Sequence, residues 1–194
     1  MTNHKTREAW LQGFIEAARP AFNATGASIP RNTRVAVGFT SAGKRGTRIG
    51  ECWTDQASDD GHFEIFITPS QGDASRIADI LTHELIHASV GLEAKHGPEF
   101  KAIATALGLE GKMKATTASD RWRAWAEPIL EALGPIPHAS LHSGLSTGRP
   151  KQKTALLKLE CGHCGWLARV TLKHIDPYDF LSCPTGCGGQ LLVE

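Results

Sequence analysis

Apolar residues recur at every third or fourth position in four stretches of the chain, which is the spacing of one face of an α-helix. The pattern predicts helices over residues 5–19, 73–90, 98–107 and 119–133. Pro20 is expected to end the first helix, since proline lacks a backbone N–H and clashes with the preceding turn. Gly91 and Gly108 follow the second and third helices at positions typical of a helix end. Pro128 lies inside the fourth helix and predicts a kink or break there.

Short apolar runs between the first and second helices predict strands. These runs cover residues 34–39, 48–53 and 62–68, and the turn Asp59-Asp60-Gly61 precedes the third. Residues 41–46 combine glycine, serine and basic residues, so we expect a mobile loop between the first two strands.

The composition changes after residue 133. Residues 134–150 hold three Gly, three Pro, three Ser and a Thr, which is typical of a linker. A short cysteine-rich segment of β character follows. We therefore predict a domain over residues 1–133, a linker over 134–152 and a small module over 153–194.

The charge of the chain is nearly balanced, with Lys+Arg 21 against Asp+Glu 20 and a formal net charge of +1. This balance argues against a histone-like binder that depends on bulk charge. No apolar run approaches the roughly 18 residues of a membrane span, and no signal peptide is visible at the start. We expect a cytoplasmic, reducing location, where the five cysteines are metal ligands or free thiols rather than disulfides.

The most informative string is His83-Glu84-Leu85-Ile86-His87. Residues four apart share one face of a helix, so the two imidazoles could bind one Zn²⁺. Glu84 would then serve as general base toward a metal-activated water. The alternative is two surface histidines on an ordinary helix, but a glutamate between them in an apolar helix argues against it.

A catalytic zinc site needs a third protein ligand, and His96 is the best candidate. Gly91 ends the metal-binding helix, so the chain can turn back and bring His96 to the metal before Pro98 starts the next helix. An alternative role for His96 is to cap that next helix. Three acidic residues are further candidate ligands: Glu93, Glu99 and Glu110.

The four C-terminal cysteines form a second constellation. Cys161 and Cys164 make a C-x2-C pair, and Cys183 and Cys187 make a C-x3-C pair eighteen residues later. This spacing predicts a structural four-thiolate zinc site, whose metal would supply much of the folding energy of so small a segment. His163 or His174 could replace one cysteine, and reduced thiols or a disulfide are the alternatives to a metal site.

The string His83-Glu84-Leu85-Ile86-His87-Ala88, followed by His96-Gly97-Pro98-Glu99-Phe100, resembles the SprT-like metallopeptidase family, which includes the Spartan-type DNA–protein crosslink proteases. The resemblance implies that His83, His87 and His96 bind the catalytic zinc and that Glu84 is the catalytic glutamate. It extends over about residues 7 to 194 and implies that the cysteine-rich C-terminus is a zinc ribbon. The expected fold is α+β: a zincin-like metalloprotease domain of helices and a small mixed sheet, then a small β zinc ribbon.

The substrate expectations also follow from this resemblance. The strand around residues 62–68 resembles the substrate-lining edge strand of the family, so an extended peptide is expected along Phe63, Ile65 and Ile67 by β-augmentation. The implied substrate is protein that is associated with DNA or crosslinked to it.

Two basic groups are candidates for contact with nucleic acid. Lys44, Arg45 and Arg48 lie in the first domain, where they could contact phosphates. Lys151, Lys153 and Trp166 lie in or beside the ribbon, where the indole could stack on a base. The alternative is that both groups are ordinary solvated surface.

Three functions are therefore compatible with the sequence. The first is a zinc metallopeptidase, a hydrolase that acts on DNA-associated or DNA-crosslinked protein. The second is a zinc-dependent nucleic-acid-binding or adaptor protein without useful protease activity. The third is a general peptidase that uses its ribbon for docking. The first needs a protein or peptide substrate and two zinc ions, with DNA as a second partner and no membrane.

Overall fold

The chain divides into two compact units, residues 1–144 and 145–194. The computed structural model describes residues 4–142, 156–171, 173 and 181–193. None of the helices among these residues is long and apolar enough to cross a membrane. The domain bounds 1–133 and 153–194 and the cytoplasmic location stay predictions.

The first unit contains the four helices that the pattern predicted. They are α1 (Arg7–Ala24), α2 (Ala74–Val90), α3 (Pro98–Leu107) and α4 (Asp120–Leu133). The expected end of α1 at Pro20 is wrong, because the helix continues through the proline to Ala24. Likewise α4 runs through Pro128 without a break. Both prolines are exposed, whereas Phe22 and Leu133 beyond them are buried, so packing outweighs the local cost of about 3 kcal/mol.

A three-stranded mixed sheet lies between α1 and α2 in sequence. Its strands are β1 (Thr33–Val37), β2 (Gly50–Trp53) and β3 (Phe63–Ile67), in the order β1-β3-β2. The pair β1–β3 is parallel and the pair β2–β3 is antiparallel. The small mixed sheet of the expected α+β fold is thus confirmed.

The position of β3 corrects the expected substrate strand. Ile65 pairs with Val35 of β1 on one side and with Cys52 of β2 on the other, so both backbone edges of β3 are occupied. A peptide therefore cannot add to the strand that carries Phe63, Ile65 and Ile67. The apolar run of β3 reflects its central place, since Ile65 and Ile67 are both buried. The edge strands are β1 and β2.

A hairpin after α3 escaped the sequence analysis. Its strands are β4 (Leu109–Lys112) and β5 (Ala115–Ala118), paired antiparallel. The hairpin alternates poorly between apolar and polar positions, since Leu109 and Thr116 are its only buried residues. Its place beside α2 nonetheless makes it important for the site.

Helix α2 is the central element of the first unit. It contacts α3, α4, β2, β3 and β5. Leu81 and Leu85 on its inner face are fully buried, and each such side chain contributes about 1.5–3 kcal/mol relative to exposure. The indole of Trp122 donates a hydrogen bond of 3.1 Å to Thr82 Oγ1. These contacts hold α2 as a rigid platform.

The residues directly after α4 pack against the first unit. Trp10 Nε1 donates to the carbonyl of Gly134 at 2.8 Å, and the amide of Leu141 donates to the carbonyl of Pro69 at 2.8 Å. Residues 134–142, which the composition placed in a linker, are thus anchored by hydrogen bonds.

The second unit is a small antiparallel sheet. Its strands are β6 (Leu156–Cys161), β7 (Leu167–Thr171) and β8 (Leu191–Val193), in the order β7-β6-β8. This architecture confirms the expected small β module.

Candidate active site

The two histidines of the central motif lie on one half-buried face of α2. The helix begins after Asp73, whose carboxylate accepts a hydrogen bond of 2.7 Å from the amide of Arg76. It ends at Gly91, whose φ of 85° favours glycine. His83 and His87 are one turn apart, with ring centroids separated by 5.1 Å.

A tight turn returns His96 to this face of α2. Lys95 adopts a φ of 48°, the only positive φ of a non-glycine residue in the described parts of the chain. The amide of Gly97 donates to the carbonyl of Ala94 at 2.9 Å, and a Cβ on Gly97 would approach that oxygen to 2.9 Å. Unfavourable backbone conformations of this kind concentrate at functional sites, where the surrounding structure enforces them.

The three histidine side chains converge on one point. The Nε2 atoms of His83 and His96 are 3.2 Å apart, and those of His87 and His96 are also 3.2 Å apart. Tetrahedral zinc with Zn–N distances of about 2.0–2.1 Å places its nitrogen ligands about 3.3 Å from one another. The donor set therefore fits a single zinc ion. Glu93, Glu99 and Glu110, the other candidate ligands, contribute no oxygen to this cluster.

Phe100 forms an apolar base under the triad. Its ring centroid lies 4.8 Å from that of His83, 4.5 Å from that of His87 and 5.0 Å from that of His96. The ring is fully buried on α3. It therefore packs against all three imidazoles and restricts their rotation.

Thr116 on β5 fixes the orientation of His83. Its Oγ1 lies 2.9 Å from Nδ1 of His83. Because Nε2 points to the other histidines, Nδ1 carries the proton and donates it to the hydroxyl. Such a partner orients a metal ligand and selects its tautomer. Sequence reasoning missed Thr116, since the hairpin that carries it has no clear strand pattern.

The histidines are poised to be neutral. Burial, followed by the neighbouring His87 and His96, lowers the pKa of His83 to about 3. Burial, followed by His96, lowers the pKa of His87 to about 4. Burial and the charge of Lys114 also lower the pKa of His96. At neutral pH the rings therefore offer lone pairs to a metal without first losing a proton.

Glu84 lies beside the triad in a largely buried position. Its side chain is 7% exposed, and burial together with the nearby Glu51 raises its pKa to about 8, although the charge of Arg48 opposes this. A carboxylate with raised proton affinity is suited to accept a proton near neutral pH.

Gly50 on β2 gives the Glu84 side chain its space. A Cβ at this glycine would lie 2.6 Å from Oε1 of Glu84 and 2.7 Å from Cγ2 of Ile80. The strand therefore passes close to α2 only because residue 50 has no side chain. A glycine inside a predicted strand was the available signal, since it commonly marks such a close approach.

A polar network ties the loop before β2 to the strand. Glu51 accepts hydrogen bonds from the amide of Ser41 at 2.7 Å and from its hydroxyl at 2.6 Å, and Arg48 forms an ion pair with the same carboxylate. The network holds the loop that carries Lys44 and Arg45, both of which are exposed.

A cleft of about 840 Å³ opens onto the triad and Glu84. One wall is β2, where the Trp53 side chain is 42% exposed, and the other is the turn of residues 92–97. The volume falls within the range of ligand sites, and the cleft can thus admit a substrate segment. Phe63, Ile65 and Ile67 do not line it.

The second unit brings its four cysteines together. The sulfurs of Cys161 and Cys187 are 3.6 Å apart, and those of Cys164 and Cys183 are also 3.6 Å apart. A disulfide requires about 2.05 Å, whereas tetrahedral zinc places thiolate sulfurs about 3.8 Å from one another. The set fits a structural zinc ion, and His163 is not part of it.

The remaining predicted residues stay apart from both sites or fall outside the described chain. Trp166 is half-buried in the second unit. Lys151, Lys153 and His174 lie outside the described residues.

Comparison with protein-family models gives one match, the SprT-like family, over residues 17–119. The matched segment runs from within α1 to just beyond β5, so it contains the sheet, the triad and Glu84. No curated protein and no solved structure matches the chain.

Proposed function

The chain belongs to the SprT-like family, and from this premise we propose that it is a zinc metallopeptidase. One observation carries the proposal: three Nε2 atoms spaced for one zinc ion share a cleft with a buried glutamate. A purely structural metal site would have no need for a carboxylate of raised proton affinity beside its ligands.

In the proposed reaction His83, His87 and His96 hold the metal. A bound zinc ion would activate water and polarise the carbonyl of the scissile peptide bond. Glu84 accepts a proton from the attacking water at its carboxylate and passes it to the leaving nitrogen. Thr116 keeps the His83 ring in the required tautomer. The first unit has no tyrosine, so cations of the cleft such as Arg48 and Lys114 are the available donors to a developing oxyanion.

We assign the substrate backbone to β2 rather than β3. Ladder bonds of an antiparallel pair alternate, and the amide of Thr68 donates to the carbonyl of Ile49. The backbone groups of Gly50 and Cys52 therefore point away from β3, toward the free edge. An extended peptide can add there by β-augmentation, directly beside Glu84.

For the substrate we propose protein associated with DNA or crosslinked to it. The resemblance to Spartan-type proteases supports this, as does the exposed loop with Lys44 and Arg45 near the cleft. The four-cysteine cluster is proposed to bind a second, structural zinc ion that maintains a docking ribbon. Cleavage stimulated by DNA and weakened by salt would distinguish this function from a general peptidase.

The decisive variant is Glu84→Gln in the zinc-loaded full chain, assayed on an unfolded protein substrate with and without DNA. We expect cleavage to fall by about 10²–10⁴-fold, because the proton acceptor is lost while the shape is kept. Zinc content should not change. The control Glu93→Gln alters an exposed glutamate in the neighbouring turn and should retain activity.

Undiminished cleavage by Glu84→Gln would refute the peptidase mechanism. If neither the wild type nor the variant cleaves, while Cys161→Ser abolishes binding to DNA, the protein is an adaptor instead.

A further inference from the structure

A smaller recess of about 180 Å³ adjoins the catalytic cleft. It lies between residues 47–50 and the hairpin residues 114–116, with His83 and Glu84 at its floor. Its volume corresponds to roughly six waters at about 30 Å³ each, which is sufficient for one acidic side chain.

The lining of this recess is cationic. Arg48, Arg76 and Lys114 contribute to it, and its only carboxylate is that of Glu84, the proposed proton acceptor. Three basic side chains around a small space provide a field that favours a negatively charged group.

Each cation keeps hydrogen-bond donors in reserve. Arg76 uses Nη1 to hold both oxygens of Asp79 at 2.8 Å, and Arg48 uses Nη1 for Glu51. Among the described residues, the other guanidinium nitrogens have no protein partner. Lys114 forms no ion pair in this part of the chain, so its ammonium group is the least committed.

The recess and the catalytic cleft are continuous. Both are lined by Arg48, Gly50, His83, Glu84 and Lys114. A peptide held along β2 beside Glu84 would therefore carry one side chain, close to the scissile bond, into the recess. The influence of Lys114 on the pKa of His96 agrees with a place for its charge next to the triad.

We propose that this recess is a specificity subsite for a carboxylate side chain, Asp or Glu, next to the scissile bond, with Lys114 as its determining cation. The proposal deepens the peptidase function and rests on it. Charge-assisted hydrogen bonds are worth about tenfold or more when desolvated, and less at exposed positions. We therefore expect about a 5–10-fold preference for glutamate over glutamine.

A binding experiment tests the recess without relying on catalysis. N-acetyl-glutamate α-amide and N-acetyl-glutamine α-amide are titrated into the zinc-loaded full chain, and amide NMR shifts of residues 114–116 are followed. The glutamate probe should bind about 5–10-fold more tightly, and Lys114→Gln should remove the difference. Lys112→Gln, an exposed change on the same hairpin, should not. Equal affinities, or a preference that survives Lys114→Gln because the metal holds the carboxylate, would overturn the proposal.

Cleavage-site profiling extends the test to the reaction. Peptides from an unfolded protein should show Asp or Glu enriched at one fixed position, and Lys114→Glu should shift this enrichment to Lys or Arg, unlike Lys112→Glu. Cleavage without an acidic preference refutes the subsite while the peptidase function stands. A probe that binds in a Lys114-dependent way to a chain that cleaves nothing refutes the peptidase function while the anion site stands.

Discussion

Thr116 and Gly50 shape the catalytic centre without being able to perform its chemistry. Thr116 fixes the ring of His83 by a hydrogen bond, and Gly50 leaves room for the carboxylate of Glu84. Both act through a neighbour, so their roles should be visible as selective losses: metal affinity for the first and turnover for the second.

Replacing Thr116 by valine keeps the shape of the side chain and removes the hydroxyl. Zinc affinity should fall by about 10–100-fold, as when other outer partners of metal ligands are lost. A competition titration against a chromogenic chelator measures the change. Thr117→Val, on the exposed side of the same strand, is the matched control. An unchanged affinity would mean that packing on Phe100 alone orients His83.

Replacing Gly50 by alanine places a methyl group where Glu84 Oε1 now lies. Turnover should fall by about 10²-fold through displacement of the carboxylate, while zinc content is maintained. Steady-state kinetics and metal analysis of the same preparation provide the two readouts. Gly38→Ala is the control, since its Cβ would make an ordinary contact of 3.5 Å with Phe66. Full turnover in Gly50→Ala would show that β2 can move away from α2.

At the level of elements, the neighbourhood of each strand mattered more than its own pattern. The apolar run of β3 suggested a strand along the cleft, yet the same run is what a central strand requires. The four predicted helices were right because their 3.6-residue period is local. Their proline rules failed, because Phe22 and Leu133 bury themselves beyond exposed prolines.

Amide hydrogen exchange can locate the bound peptide. In the Glu84→Gln protein saturated with a substrate peptide, the amides of Gly50 and Cys52 should gain protection, because their backbone groups face the free edge of β2. Strand β1, the other edge of the same sheet, is the internal control. Protection that appears on β1 instead, or on neither strand, would contradict the assignment.

Over the whole molecule, each compact unit has its own set of metal ligands: three histidines in the first and four cysteines in the second. The first unit has a core built on α1, α2 and α4, whereas the second has few buried residues: Leu159, Cys161 and Cys183. A segment with so little core depends on its metal for folding energy.

Metal removal should therefore affect the units differently. The purified chain is expected to hold two zinc ions, of which His87→Ala loses one and Cys183→Ser the other. A strong chelator should expose the second unit to proteolysis and leave the first unit folded. Mass spectrometry of the fragments and metal analysis provide the measurement. A single zinc ion per chain would eliminate one of the two sites.

The sequence by itself determined the residues that can bind metal. His83 and His87 are four apart on a helix and the cysteines come in close pairs, so local backbone geometry alone places their donor atoms together. The tertiary structure decided what surrounds them: the partner of His83 is 33 residues away, and β2 rather than β3 forms the edge beside Glu84. Such choices depend on contacts between distant segments, where packing decides among strands whose local patterns are alike.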